Sequence, residues 1–97
     1  MDRFTKQSSE QFTIELNFSR RLETSETISS YELEVINNDT EIDVKSTIVD
    51  DETNDDDTIY VTVKAGDNGN NYKITGTITT SNDNIYEKDV IMSINDT

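Results

Sequence analysis

The stretch Thr58–Ile78, TIYVTVKAGDNGNNYKITGTI, constrains the fold more than any other part of this chain. Ile59, Val61 and Val63 share one face of a first run; Tyr72, Ile74 and Ile78 share one face of a second. A period of two puts alternate side chains on opposite faces, so both runs read as half-buried β-strands and not as amphipathic helix. Ala65–Asn70 between them contains Asp, Asn and Gly, residues that tolerate the left-handed conformations of turns.

The same alternation recurs along the chain. Gln11–Phe18 sets Phe12, Ile14, Leu16 and Phe18 against Thr13, Glu15 and Asn17. Thr27–Ile36 carries Tyr31, Leu33 and Val35 on one face, with Glu32 and Glu34 toward water. Glu41–Val49 alternates Ile42, Val44 and Ile48, leaving Ser46 at one polar inward position. Ile85–Ile94 closes the pattern with Val90, Met92 and Ile94 inward. Asn37-Asn38-Asp39 and Ser81–Asn84 have turn chemistry, and Ser19–Glu26 connects the first two strands. The acidic run Asp50–Asp57 reads as a solvated loop, and Gly76 marks a bulge or a close backbone approach.

Turn signals between strands, with no helical stripe, indicate an all-β, immunoglobulin-like or fibronectin-like antiparallel sandwich of six or seven strands. The seventh would be a short edge strand within the acidic run or a split first strand. The expected span is a single domain, residues 1–97, with Met1–Glu10 as an N-terminal arm ahead of the first strand. The six clear strands would take positions A, B, C, E, F and G of the Greek key. Tyr72 stands where such sandwiches place a tyrosine corner, its ring in the core and its hydroxyl expected on a nearby backbone carbonyl.

Composition excludes several function classes. The 97 residues contain no Cys and no His, which removes disulfides, thiolate metal sites and the usual neutral-pH general base. Twenty-one acidic against eight basic residues give a formal net charge of -13, a field that repels nucleic acid and anionic membranes. The opening MDRFTKQSSE does not read as a signal peptide, and no apolar run approaches a membrane span. Hydrophobic content of only 31% with this charge invites a disordered reading, but period two in segment after segment favours a folded chain.

Candidate chemistry is sparse. Asp50, Asp51, Glu52, Asp55, Asp56 and Asp57 offer hard oxygen ligands for Ca²⁺, but lack the spacing of a loop that wraps the ion. Asp67-Asn68-Gly69-Asn70-Asn71 is turn-like. Tyr60 faces outward by parity and is a candidate contact residue, while Tyr31 and Tyr86 carry no clear assignment. The abundant carboxylates have no cleft that would split their pKa values, and Ser, Thr and Lys have no partner base. No catalytic, cofactor-binding or metal residue is therefore assigned, no cofactor is expected, and the chain does not read as an enzyme. Arg3, Lys6, Arg20 and Arg21, half of all cations, fall in the first 21 residues. A basic end beside an acidic body suits head-to-tail association between copies.

The residues also resemble a known family. Phe4–Gln7 (Phe-Thr-Lys-Gln), Phe12–Ile14 (Phe-Thr-Ile), Phe18–Leu22 (Phe-Ser-x-Arg-Leu) and Glu26–Ser30 (Glu-Thr-Ile-Ser-Ser) are similar to the opening of small tailed-phage and prophage structural proteins, the fibre–tail adaptors. Asp43-Val44 matches an Asp-Val-Thr motif, with Lys45 in place of the Thr; Gly69–Thr75 (Gly-x-x-Tyr-Lys-Ile-Thr) and Asp89-Val90 complete the likeness. The departures are the acidic run Asp50–Asp57 and the overall acidity, which bear on any partner surface near that loop. The resemblance implies an Ig-like virion component, made in the bacterial host cytoplasm, that joins tail and fibre or works at a neighbouring junction. Its partners would be other virion proteins, with a homo-oligomer in the particle left open and neither nucleic acid nor membrane bound. It brings no catalytic residues. The alternative is a Ca²⁺-dependent carbohydrate- or cell-surface-binding module.

Overall fold

Alternating side chains can be buried only where a second layer covers one face of each strand, and this chain supplies that layer from itself. A computed structural model describes residues 2–96; Met1 and Thr97, the two ends of the expected span, lie outside the described residues. The strands are β1 (Asp2–Lys6), β2 (Phe12–Asn17), β3 (Ile28–Asn37), β4 (Ile42–Asp43), β5 (Val49–Asn54), β6 (Thr58–Val63), β7 (Asn71–Thr80) and β8 (Ile85–Ile94), with one helical turn, α1 (Lys45–Ile48). They form a five-stranded sheet in the order β1-β8-β7-β3-β4 and a three-stranded sheet in the order β2-β6-β5. Apart from β1, which runs parallel to β8, all pairings are antiparallel. This is an all-β sandwich with Ig-like strand order.

The core forms where the inward faces meet. Val35, Ile48, Ile59, Val61, Val63, Ile74, Ile78 and Met92 are completely buried, and Leu16, Phe18, Tyr72 and Ile94 nearly so. The faces expected for β6, β7 and β8 are the faces observed. Tyr72 is 2% exposed and its hydroxyl oxygen accepts the Asp67 backbone N–H at 2.8 Å. The corner is present, but its partner is an amide donor five residues upstream and not the expected carbonyl.

Three segments depart from expectation. Residues 2–6 of the supposed arm form edge strand β1, so Gln11–Phe18 takes position B, and the positions assigned to the next two runs shift accordingly. Glu41–Val49 is not one strand: β4 lasts two residues, Ile42 is 59% exposed, and the chain turns through α1, where Thr47 and Ile48 donate backbone N–H groups to Val44 O. Ser46 is exposed on that turn, not inward. Val44 and Ile48, four residues apart, fit both a strand face and a helical turn, and the Asp43 carboxylate accepts the Lys45 N–H at 2.9 Å where the turn begins. The acidic run supplies β5, the short edge strand left open as a seventh. Pairing with β6 overrides the low strand propensity of Asp, and its charges discourage further pairing at that edge.

Hydrogen-bonded turns close the ends. Asn37 Oδ1 accepts the Asp39 N–H at 2.8 Å, and Asp83 adopts φ 64° in the β7–β8 hairpin. Glu26 reaches that hairpin from the β2–β3 connection. Its carboxylate accepts the Thr80 hydroxyl (2.5 Å), the Glu23 N–H (2.9 Å) and the Asn84 amide (2.9 Å). The Thr80 hydrogen bond, then those from Glu23 and Asn84, hold the carboxyl below its usual 4.5, against the opposing effect of desolvation. A carboxylate with a lowered folded pKa stabilises fully above its unfolded value and loses that contribution as pH falls through the folded one. Glu26→Gln should therefore lower stability at neutral pH and flatten the fall in stability below pH 4.5. Urea unfolding across a pH series measures this; an acid limb identical to that of the parent would refute the assignment.

Gly76 lies mid-strand in β7 with unbroken register on both sides, so it marks a close approach and not a bulge. A Cβ there would lie 2.7 Å from Leu16 Cδ1 and 3.0 Å from Ile59 Cδ1 of the facing sheet. Gly76→Ala should cost about 1–3 kcal/mol through overpacking. Trimming Leu16 to Val in that background should recover part of the loss, read by chemical denaturation.

Candidate functional site at the open edge

Neither side of the sandwich is closed by hydrogen bonds: β4 and β5 end the two sheets on one side, β1 and β2 on the other. β1 pairs only with β8 and β2 only with β6, so each has one backbone edge with no strand beside it. Between them lies a groove of about 440 Å³ lined by Phe4, Phe12, Ile14, Leu16 and Val90, with Asp2, Arg3, Glu15 and Lys88 at its rim. Phe4 and Phe12 are half-buried and meet edge to face, with ring centroids 5.9 Å apart at 64°. An apolar floor between two unpaired strand edges is a surface on which another extended chain can add a strand.

The wall of the groove formed by β1 is anchored by Lys6. Its side chain is completely buried, and its ammonium donates to the backbone oxygens of Ala65 (2.6 Å), Gln7 (2.7 Å) and Ser8 (3.3 Å). Burial pulls its pKa below 10.5, while the charges of Glu10 and Asp96 push it back up. Asp96 extends the clasp: its carboxylate accepts both the Ser8 N–H (2.7 Å) and the Ser8 hydroxyl (2.8 Å), and its own N–H bonds Asn68 Oδ1 at 2.9 Å. The two Ser8 bonds, with a smaller contribution from the Lys6 charge, hold the Asp96 carboxyl below its ordinary value against desolvation. The start of the chain is thus tied to its end and to the β6–β7 loop.

The residues considered from sequence fall elsewhere. In the acidic run, Glu52 pairs with Lys45 at 3.0 Å and Asp50 with Lys64 at 3.7 Å. The Asp55 carboxylate accepts the Asp57 and Thr58 N–H groups and the Tyr60 hydroxyl, at 3.1, 3.0 and 2.6 Å. Among the described residues no three acidic side chains converge as a metal would need. Asp67–Asn71 serves the corner and the C-terminal clasp. Tyr60 faces outward, as parity required, and is held by Asp55. Tyr31 and Tyr86 are half-buried against the core, and Arg21 lies 4.6 Å over the Tyr86 ring. Carboxylates do gather in two surface cavities, Asp43, Asp50, Asp51 and Glu52 in one and Glu32, Glu34, Asp43 and Glu87 in the other, whereas the groove carries Asp2 and Glu15 beside two cations. No described helix is long and apolar enough to cross a membrane.

Sequence reasoning missed the groove. Its floor was visible as the inward face of Gln11–Phe18, but its second wall depends on β1 pairing with β8, and the single apolar residue Phe4 within Asp2–Lys6 is a faint sign of a strand.

Residues 6–93 match the family model described as Podophage GP4 fiber-tail adaptor protein gp77. The chain belongs to this family. No curated protein and no solved structure matched the chain. Membership agrees with the resemblance read from the motifs, and it makes the chain a phage structural adaptor, a component of the virion. The family is a structural one, which speaks for a non-catalytic role.

Lys6→Met should remove the ammonium from the Ala65, Gln7 and Ser8 carbonyls, leaving Gln7 O only the Glu10 N–H, and cost about 1–3 kcal/mol. Hydrogen exchange should show β1 losing protection before β7 and β8. Uniform loss across both sheets would show that the clasp is not local to the groove.

Proposed function

We propose that this chain is a non-enzymatic adaptor that joins tail and fibre in a phage particle by protein–protein contacts, and that the β1–β2 groove is its docking edge. The observation that supports the reading is the pairing of an apolar floor with two unpaired backbone edges, where the sandwich's other edges, β4 and β5, are short or acidic. A rigid sandwich needs no chemistry to do this. It presents hydrogen-bonding groups at strand spacing, and a neighbour's extended segment completes the sheet. The whole chain acts as one Ig-like unit, made in the bacterial host cytoplasm and carried into the virion. Its partners are tail and fibre proteins, with other copies of itself as further neighbours. Its charge of -13 argues against nucleic acid or anionic membrane as a partner. In this reading β1, which lies within the expected N-terminal arm, serves as one wall of the groove.

Mass spectrometry of purified particles, with copy number, tests this. The chain should appear at a fixed low multiple of a tail protein. Phe12→Ser and Ile14→Lys, each checked for folding by circular dichroism and melting, should reduce its incorporation or the fibre content several-fold, while Thr53→Lys on the opposite edge should not. Folded groove variants that assemble at parental copy number would refute the docking edge. Absence of the chain from intact particles would refute the adaptor reading itself.

A further inference from the structure

The groove does not stop at Leu16. Lys88 lines both the groove and a neighbouring cavity of about 600 Å³ built from Asn17–Arg21 and Glu87. Its ammonium joins the two, 3.4 Å from Asn17 O and 3.7 Å from the Asp2 carboxylate. Along its length the groove therefore passes from the Phe4–Phe12 pair to a cationic end at Arg20 and Arg21.

The chain's eight cations are unevenly engaged. Lys6 is enclosed by carbonyls, and Lys45, Lys64, Lys73 and Lys88 each lie within 3.7 Å of a carboxylate. Beside the enclosed Lys6, three cations, Arg3, Arg20 and Arg21, form no ion pair among the described residues, although the chain carries 21 acidic residues. Arg3 borders the groove but its guanidinium donates to Ser93 Oγ at 3.2 Å, whereas Arg20 and Arg21 line the cavity at the groove's end. Glu87 is the cavity's one carboxylate, against two arginines and Lys88. Arg21 is positioned by the Tyr86 ring, which takes no hydrogen bonds from its guanidinium. Screening limits surface charges to about 10 Å, so a docked chain would sense this local excess and not the distant negative field.

We infer that the groove takes an extended segment of a different protein, apolar at alternate positions and carrying carboxylates where it reaches Arg20 and Arg21. Alternate side chains would fill the floor over Ile14 and Val90, and the other alternates would face water. The arginines would close the seat with paired hydrogen bonds to carboxylate, which fixes the direction in which the strand enters. This inference rests on the reading of the groove as the docking edge and names what docks there.

The test is calorimetry and amide chemical-shift mapping on the full chain at physiological salt. The probes are a short peptide alternating valine and threonine that closes on two aspartates, and the same peptide closing on two lysines. The aspartate peptide should bind about tenfold tighter, with shifts confined to Asp2–Lys6, Phe12–Asn17 and the Arg20–Arg21 loop. Arg20→Ala with Arg21→Ala should reduce that preference to about twofold or less, leaving the melting transition in place. Equal binding, preference for the lysine peptide, no binding, shifts on other faces, or self-association through these strands would each overturn the inference. Incorporation into particles without the carboxylate preference overturns this inference alone. The preference without incorporation removes the adaptor reading and leaves the groove's chemistry intact.

Discussion

With hydrophobic residues at 31% of the chain, nearly every large apolar side chain must lie between the two sheets for a core to exist at all. That scarcity governs the rest of the structure. Little apolar surface remains to cover the edges, so they are left to charge, to short strands and to hydrogen bonds. β5 is guarded by Asp50, Asp51 and Glu52, and β4 is too short to template another chain. The β1–β2 side differs because its half-buried apolar residues, Phe4, Phe12 and Ile14, face a gap and not a third layer. Of the edges this sandwich presents, it is the one whose surface resembles an unfinished core.

The same scarcity gives single contacts unusual weight. Gly76 lets Leu16 and Ile59 approach the β7 backbone, so the facing sheet packs without a gap at the middle of the longer one. Lys6, a cation in a nearly full core, is tolerated because three carbonyls receive its three donors. Among the described residues no buried side-chain nitrogen or oxygen lacks a partner. Polar residues are thus part of the inner structure, in places where a chain richer in apolar residues would use Leu or Met.

How far the sequence could be read follows from which interactions are local. Alternation in Phe12–Phe18, Ile59–Val63, Tyr72–Ile78 and Val90–Ile94 marks strands directly, because a period of two is a property of the backbone. Val44 and Ile48 were ambiguous, since four residues is both two strand repeats and about one helical turn. Asp50–Asn54 hides a strand because its pairing energy comes from β6, not from its own side chains. Lys6 could not be recognised as a core residue, because its acceptors are main-chain atoms, one of them from Ala65, far along the chain. The groove was illegible for the same reason, being the product of one parallel pairing between the beginning and the end of the sequence.

That parallel pairing has a mechanical meaning. β1 and β8 run in the same direction over five consecutive rungs, Asp2 beside Val90 through Lys6 beside Ile94. A pull that drew Asp2 backward and Asp96 forward would load those rungs in shear, all together, where an antiparallel hairpin would unzip one rung at a time. The Ser8–Asp96 and Lys6–Ala65 bonds lie at the end of this ladder and would share the load. The two ends of the fold are thus held by the arrangement of backbone bonds that resists a lengthwise pull best.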